Sequence, residues 1–301
     1  MLHRTHHAPY SGPVTTIAAP LTAWYAAHAR DLPWRRPDCG AWGVLVSEFM
    51  LQQTPVTRVL RPWREWLDRW PAPESLAAAP VADAVRLWGT LGYPRRALWL
   101  HRTAARIVER HGGVVPRDVA DLLELPGVGP YTARAIAVFA YGERHPVVDT
   151  NTRRVLARAV AGRSGPRAPS PHDLVAMEDV LPRDAAGAAI VNAAAMELGA
   201  LVCVARAPRC GDCPLEDRCA WRAAGYPDTG DGRPRQARYE GSDRQARGAV
   251  LRVLRDAAGG TVPPARLAGA WPDIVQRDRA VASLLADGLA ETTAGGLRLP
   301  G

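Results

Sequence analysis

Apolar positions recur at three- and four-residue spacing through most of the chain, and this pattern predicts helices over residues 41–53, 82–91, 97–111 and 173–181. Strand-like alternation is almost absent between residue 16 and about residue 221, so the body reads as all-α. Proline- and glycine-rich joints, such as Trp70-Pro71-Ala72-Pro73 and residues 162–171, separate the helical pieces. Residues 225–241 turn to glycine, proline, aspartate and arginine with little apolar content, which predicts a solvated linker. Beyond it the helical period returns over 242–256, 263–270 and 274–286, followed by a short strand at 289–293, an Ala294-Gly295-Gly296 turn and Leu297-Arg298-Leu299. The expected organisation is a disordered stretch at 1–15, an all-α core at 16–224, a linker at 225–241 and a small winged-helix-like α+β domain at 242–301. The third helix of that last domain is expected either to lie on DNA or to serve packing.

Composition narrows the chemistry. Of 301 residues, 38 are basic and 30 acidic, leaving +8, a balance that suits a polyanionic partner. Every one of the basic residues is arginine: the sequence contains no lysine. That excludes a Walker A phosphate loop, a lysine-anchored pyridoxal cofactor and lysine Schiff-base chemistry. No run of eighteen apolar residues occurs and residues 1–20 lack the signature of a secretory leader, so the expectation is a cytoplasmic protein without membrane association.

Four of the five cysteines, Cys203, Cys210, Cys213 and Cys219, fall in a C-x6-C-x2-C-x5-C array, which predicts a metal site rather than disulfides. Four thiolates in one loop suit a zinc ion or a four-iron cluster, and their chemistry alone does not choose. Cys39 is remote and reads as a spare thiol. Two acids stand out as well. Glu48 is the one acid within the apolar run Trp42 to Gln53, where poor solvation disfavours ionisation and suits proton donation; on a solvent face it would be an ordinary glutamate. Asp149, in Val147-Val148-Asp149-Thr150-Asn151, sits where an apolar approach meets a helix, a position that also fits a simple helix cap. Between them, Leu125-Pro126-Gly127-Val128-Gly129-Pro130-Tyr131 joins two helical stretches. Its glycines let backbone N–H groups approach a phosphate at the positive end of the following helix.

Taken together, these motifs resemble the helix-hairpin-helix DNA glycosylase superfamily, which includes endonuclease III, and within it the adenine glycosylases. The resemblance covers about residues 21–221 in family order: Ser47-Glu48-Phe49-Met50-Leu51-Gln52-Gln53-Thr54, the Gly127-Val128-Gly129 hairpin, Asp149-Thr150-Asn151 and the cysteine array. It implies a two-lobed core with a [4Fe-4S] cluster on the four cysteines, and a monomer acting on duplex DNA that carries adenine opposite guanine or 8-oxoguanine, associated with the nucleoid in a bacterium. It also implies base flipping, protonation of adenine at N7 by Glu48, and stabilisation of an oxocarbenium-like sugar by Asp149, with Asn151 holding Asp149 and Tyr131 orienting the sugar side. Tyr131 stands where backbone-cleaving relatives carry a Schiff-base lysine, so a monofunctional enzyme is expected. The resemblance further implies DNA or base contacts for Trp34, Arg35, Leu51, Gln52, Gln53, Val56, Leu91, Gly92, Tyr93, Gly127, Val128, Gly129, Arg153 and Glu197.

Three departures from the family pattern matter. Pro94 follows Leu91-Gly92-Tyr93 where a second tyrosine is common, and Arg153 replaces a common lysine. The usual Nudix-like domain reads 8-oxoguanine through a Phe-Ser-His loop, but the phenylalanines here are Phe49 and Phe139, so that loop is absent. Two other readings stand beside this one: a thymine or uracil mismatch glycosylase of the same fold, and a non-catalytic iron-sulfur redox sensor that binds DNA. The second leaves the paired acids and the hairpin unexplained.

Overall fold

The computed structural model describes residues 17–229, 238–257 and 260–301; the expected disordered stretch at 1–15 and much of the expected linker lie outside them. The described residues of Met1–Arg30 and Gly142–Arg233 form one compact unit, and those of Asp31–Tyr141 and Pro234–Gly301 form another. The chain therefore starts in the first unit, builds the second, and returns twice. No helix among the described residues is long and apolar enough to cross a membrane.

In the first unit, α1 (Ala18–His28) packs on α11 (Ala185–Leu201), which in turn packs on α9 (Thr150–Ala159); α10 (Pro171–Val180) and α12 (Ala220–Ala223) lie against α9. Local chemistry sets the helix starts. Asp149 caps α9 by accepting from Thr152 N, Asp184 caps α11 by accepting from Gly187 N, and Ser170 with Asp173 forms a capping box at α10. Leu21, Val155, Met177, Val191 and Leu198 fill the core beneath them. Asn192 is wholly buried on α11. It accepts from Val147 N at 2.8 Å and donates to His145 O at 3.0 Å, so it fixes the extended approach to Asp149.

The second unit is built around α2 (Gly40–Leu51), nine of whose twelve residues are buried. Around it stand α3 (Val56–Arg69), α4 (Pro73–Ala77), α5 (Val81–Trp88), α6 (Arg95–His111), α7 (Val119–Leu123) and α8 (Pro130–Tyr141). An aromatic wall supports them: Trp66 meets Trp70 and Trp88 edge-on at 4.7 and 5.7 Å, and Trp42 Nε1 donates to Trp70 O at 3.0 Å. Two helices end earlier than apolar spacing suggests. α2 stops at Leu51 and Gln53 is left-handed at φ 54°; α5 stops at Trp88 because Gly89 turns to φ 54°, ψ −125°. The α2 carbonyls are met by Arg96 of a distant helix and the α5 end falls at a glycine, and an apolar period registers neither.

Residues 238–301 complete the same unit. α13 (Asp243–Arg255), α14 (Pro264–Ala268) and α15 (Ile274–Ala286) precede an antiparallel pair, β1 (Glu291–Thr293) and β2 (Gly296–Arg298), with Glu291 opposite Arg298. Val262 bridges to Leu297 on the other edge of β2. Ser242 and Asp273 cap α13 and α15. Val250, Leu254, Leu284 and Leu297 join one continuous core with Trp66, Trp88 and Leu98, so this segment is packed on the helices before it rather than strung beside them.

Candidate active site

Glu48 lies in the last third of α2 and is 6% exposed. Trp63 donates to Gly43 O one turn earlier on the same helix, at 2.9 Å, and Phe49 and Met50 are fully buried beside it. A carboxyl on this rigid apolar helix has little rotamer freedom to lose. The end of α2 is finished by Arg96 of α6, 3% exposed, whose Nη1 donates to Phe49 O, Met50 O and Gln52 O. Its Nη2 donates to Thr54 Oγ1 and Gly92 O, both at 3.2 Å. One guanidinium thus takes up two end carbonyls of α2 and that of its C-cap, and ties them to the 89–94 turn. Burial lowers the Arg96 pKa to about 10, which still leaves it charged at neutral pH.

That turn carries Leu91, Gly92 and Tyr93. Leu91 is buried, whereas Tyr93 is 52% exposed and left-handed at φ 46°, a conformation in which a bulky residue needs support from its surroundings. Trp88 Nε1 donates to Gly92 O at 2.9 Å, and the Arg96 guanidinium stacks over the Tyr93 ring at 5.1 Å. Gln53, exposed and also left-handed, sits just past α2, while Gln52 Nε2 reaches Thr132 Oγ1 of α8 at 3.5 Å. Val56 opens α3, half-buried. Trp34 packs edge-on against Trp63 at 5.8 Å, with Arg35 following it in a short 3-10 turn.

In the hairpin between α7 and α8, Gly127 has φ +79°, and a Cβ there would fall 2.8 Å from Trp99 Cβ and 3.0 Å from Phe49 Cε1. Only glycine fits both the backbone and the space. Val128 is buried, Gly129 leads into Pro130 at the start of α8, and Tyr131 and Thr132 occupy its first turn.

The first unit holds the second acid. Asp149 Oδ1 accepts from Thr152 N at 2.6 Å and Oδ2 from Asn151 Nδ2 at 2.8 Å. Asn151 Oδ1 accepts from Arg154 Nη2 at 2.8 Å, and Arg154 Nε donates to Cys203 O at 2.6 Å. Gly199 lets α11 approach this point: a Cβ there would fall 2.7 Å from Asn151 O. Glu197, fully buried on α11, accepts from Arg30 Nε at 2.7 Å, Nη2 at 2.8 Å and backbone N at 3.0 Å. These charge-assisted bonds raise the Arg30 pKa. Arg153 is also turned inward, 6% exposed, with Nε on Asp173 Oδ2 at 2.9 Å and Nη2 on Arg167 O.

Cys203, Cys210, Cys213 and Cys219 line a single cavity together with Arg158 and Trp221. Arg158 Nη1 donates to Cys203 Sγ at 3.5 Å, and its guanidinium stacks on Trp221 at 4.7 Å. Burial pushes the Cys203 thiol up, and the Cys213 thiol up to about 11. Among the described residues no group of three or more His, Cys, Asp or Glu side chains is arranged to hold a metal ion, yet one cavity gathers all four thiols and a cation.

Glu48, the hairpin, Tyr131, Leu91 to Tyr93 and Gln52 to Val56 thus belong to the second unit, and Asp149, Asn151, Arg153, Glu197 and the cysteines to the first. Sequence reasoning passed over Arg30, Arg96, Arg154 and Asn192, which hold these residues in place. Of these, Arg154 carried a usable signal, since it lies three residues after Asn151 and shares its helix face.

Residues 46–170 match the model of the HhH-GPD superfamily of base excision DNA repair proteins. The chain is 53% identical to an adenine DNA glycosylase of Mycobacterium tuberculosis (strain ATCC 25618 / H37Rv), covering 100% of this chain and 99% of that protein. It is 34% identical to a thymine-DNA glycosylase of Aeropyrum pernix over 70% of this chain and 96% of that one. In fold it is similar to a thermostable thymine-DNA glycosylase, with TM-score 0.64 and 24% identity over 70% of this chain and 97% of that one. It is also similar in fold to endonuclease III in a non-covalent DNA complex, with TM-score 0.60 and 21% identity over 70% and 95% of the two chains. With full-length identity of this order and the superfamily match together, the chain belongs to the adenine DNA glycosylase family of the HhH-GPD superfamily.

Proposed function

We propose that the protein is a monofunctional DNA glycosylase that excises adenine mispaired with guanine or 8-oxoguanine during base excision repair. The observation that carries this reading is the contrast in setting between two acids. Glu48 is embedded in a rigid apolar helix, whereas Asp149 accepts two N–H bonds at a helix start. An N-glycosidic bond breaks when the leaving base is protonated and the electron-poor sugar is stabilised. Glu48 donates the proton, at adenine N7. Asp149, oriented by Asn151, offsets the developing positive charge on the sugar. Tyr131, where the chain has no lysine to form a Schiff base, orients the sugar and leaves the backbone uncut.

For these groups to act, the target adenosine leaves the helical stack. Tyr93 and Gln53, both exposed and backbone-strained, fill the space it vacates and contact its estranged partner. Leu51, Gln52 and Val56 contact DNA or base, Trp34, Arg35 and, in the other unit, Glu197 serve adenine recognition, and Gly127 to Gly129 bind phosphate through backbone N–H groups. Arg153, already committed to Asp173 and Arg167, contributes by fixing the backbone of α9. The four cysteines fit a [4Fe-4S] cluster, because four thiol donors beside a guanidinium suit an anionic sulfur-rich group. Bound there, it would cross-link the 203–219 loop. The 242–301 segment is winged-helix-like, with α15 in the position of a recognition helix.

The test is base release from duplexes with A opposite 8-oxoguanine, A opposite G, T opposite G and U opposite G, under single turnover. Adenine release from the first two, with no strand cleavage before alkali, is expected. Faster release of thymine or uracil would replace this reading with that of a mismatch glycosylase of the same fold.

A further inference from the structure

The C-terminal segment reaches the turn that presents Tyr93, and it does so at both ends. Ahead of the turn, Arg255 at the end of α13 donates through Nε to Val85 O at 3.0 Å and through Nη1 to Gly89 O. Behind it, Asp287 accepts from Arg95 Nη1 at 3.2 Å and is itself held by Arg247 Nη2. A Cβ added at Gly288, just after, would stand 4.0 Å from Leu98 Cδ1. Burial lowers the Arg255 pKa to about 10, so at neutral pH a charged guanidinium is seated on carbonyls at the C-terminal end of α5, where a cation is favoured by both the orphan acceptors and the helix dipole.

The geometry is specific to the turn. Arg255 sits on Gly89, the residue at which α5 breaks. Arg95 opens α6, two residues past Tyr93. Between these points Thr90 O accepts from Arg58, Leu91 O from Thr54, and Gly92 O from Trp88 and Arg96. The domain's other arginines are mostly engaged internally: Arg247 with Ser283, Arg277 with Ala268 O, Arg279 with Asp243 and Arg298 with Glu291.

We infer that the C-terminal segment acts as a clamp on the 89–94 turn, with Arg255 as a positioning residue that holds Tyr93 ready to enter the DNA. This rests on the reading above that Tyr93 acts in the DNA. It gives residues 242–301 a part in base extrusion that requires no DNA contact of their own. Held at both ends, a left-handed tyrosine is pre-organised and loses less freedom on binding.

The test uses the full-length protein with four variants: Arg255→Met, Arg255→Lys, Tyr93→Ala and the Arg255→Met/Tyr93→Ala double. Single-turnover adenine release is measured beside amide exchange of residues 89–93 and the thermal midpoint. Tyr93→Ala is expected to slow release. Arg255→Met is expected to slow it by about tenfold, the order expected when a reacting constellation is displaced by a fraction of an ångström, and to raise amide exchange in the turn. Arg255→Lys, which retains a cationic donor, recovers most of the rate. In the double variant the loss of Arg255 adds less than twofold to that of Tyr93, because the two act through one element. Unchanged exchange in the turn, normal release by Arg255→Met beside slow release by Tyr93→Ala, or multiplicative losses in the double variant would each overturn the clamp while leaving the role of Tyr93 standing. Normal release by Tyr93→Ala would overturn the role of Tyr93, and the clamp's part in extrusion with it. A drop in thermal midpoint alone, with normal release at a temperature where the protein is folded, would mark Arg255 as merely structural.

Discussion

Arg154 donates to Asn151 Oδ1 at 2.8 Å while the same guanidinium donates to Cys203 O, so the amide that orients Asp149 is itself held from the cysteine loop. Asn151 has two roles in this relay, donor to Asp149 and acceptor from Arg154, and only an amide side chain of that length fills both. Asn151→Ala should slow single-turnover release by about 10- to 100-fold, the usual scale for a lost orienting contact, with duplex affinity changed much less. Arg154→Met should act in the same direction and more weakly, since Asn151 Nδ2 still donates to Asp149 Oδ2. Equal rates for Asn151→Ala and the parent protein would remove Asn151 from the site.

Glu48→Gln keeps the size and hydrogen-bonding capacity of the side chain and removes its acid. Loss of a positioned general acid typically lowers a rate by about 10²- to 10⁴-fold, and that range is expected for adenine release. Because Glu48 is nearly buried, the substitution should leave the fold and the affinity for undamaged duplex intact. A rate within threefold of the parent would reassign the proton donor.

The residues that carry the motifs were legible because they are contiguous: the apolar run around Glu48, the Gly127-Val128-Gly129 hairpin, Asp149 with Asn151, and the four cysteines. What holds them was not. Arg96 lies 42 to 47 residues from the atoms of α2 and its exit that it bonds, and Arg255 lies 166 or 170 from the carbonyls it seats on. No local period reports such pairings. Arg153 and Arg154 show the same limit at short range. Sequence pointed to Arg153 for DNA contact, yet its neighbour reaches the Asp149 relay while Arg153 turns to Asp173, and adjacent arginines on a helix do not declare which face is occupied. The left-handed backbones of Gln53 and Tyr93 were likewise hidden, since neither is glycine.

Gly199 tests the packing that brings α11 against the relay. A methyl group at this position would fall 2.7 Å from both Asn151 Cβ and Asn151 O, with backbone on one side and no flexible side chain to yield. Gly199→Ala gains helix propensity but overpacks this contact, and overpacking typically costs about 1–3 kcal/mol. The thermal midpoint should fall and adenine release should slow together, because the atoms displaced belong to the residue that orients Asp149. A raised midpoint would show that α11 can move away freely.

Arg30 and Glu197 make a different prediction, since the carboxylate is fully buried and the guanidinium side chain is 33% exposed. Arg30→Ala strips Glu197 of its two charged side-chain bonds while the carboxylate stays out of water. Removing one member of a buried pair is commonly destabilising by about 3–5 kcal/mol, and a value toward the lower end suits a pair with one partly solvated partner. Glu197→Gln should lose less, because Arg30 can turn to solvent and an amide still accepts from it. Chemical denaturation of both variants decides the order; if Arg30→Ala proves the milder, the pair contributes little to holding α1 on α11.

Cys39 offers a check on burial that is separate from the site. Its Sγ lies against Gly43, 2.5 Å from where a Cβ there would stand, and burial, reinforced by Asp38, pushes its pKa from 9.0 up to about 11. Thiolate is the reactive form. At pH 8 a shift of this size leaves about a hundredfold less thiolate than in a solvated cysteine, each pH unit being a factor of ten. Alkylation of Cys39 in the folded protein, followed by peptide mass mapping, should therefore be about two orders slower than in the denatured chain at pH 8, and should quicken as pH rises toward 11. The sign follows from the neutral thiol being the form the fold prefers: stability contributed by burying Cys39 is present below pH 9 and declines as the unfolded thiol ionises above it. Rapid alkylation at pH 8 without unfolding would mean that the start of α2 opens in solution.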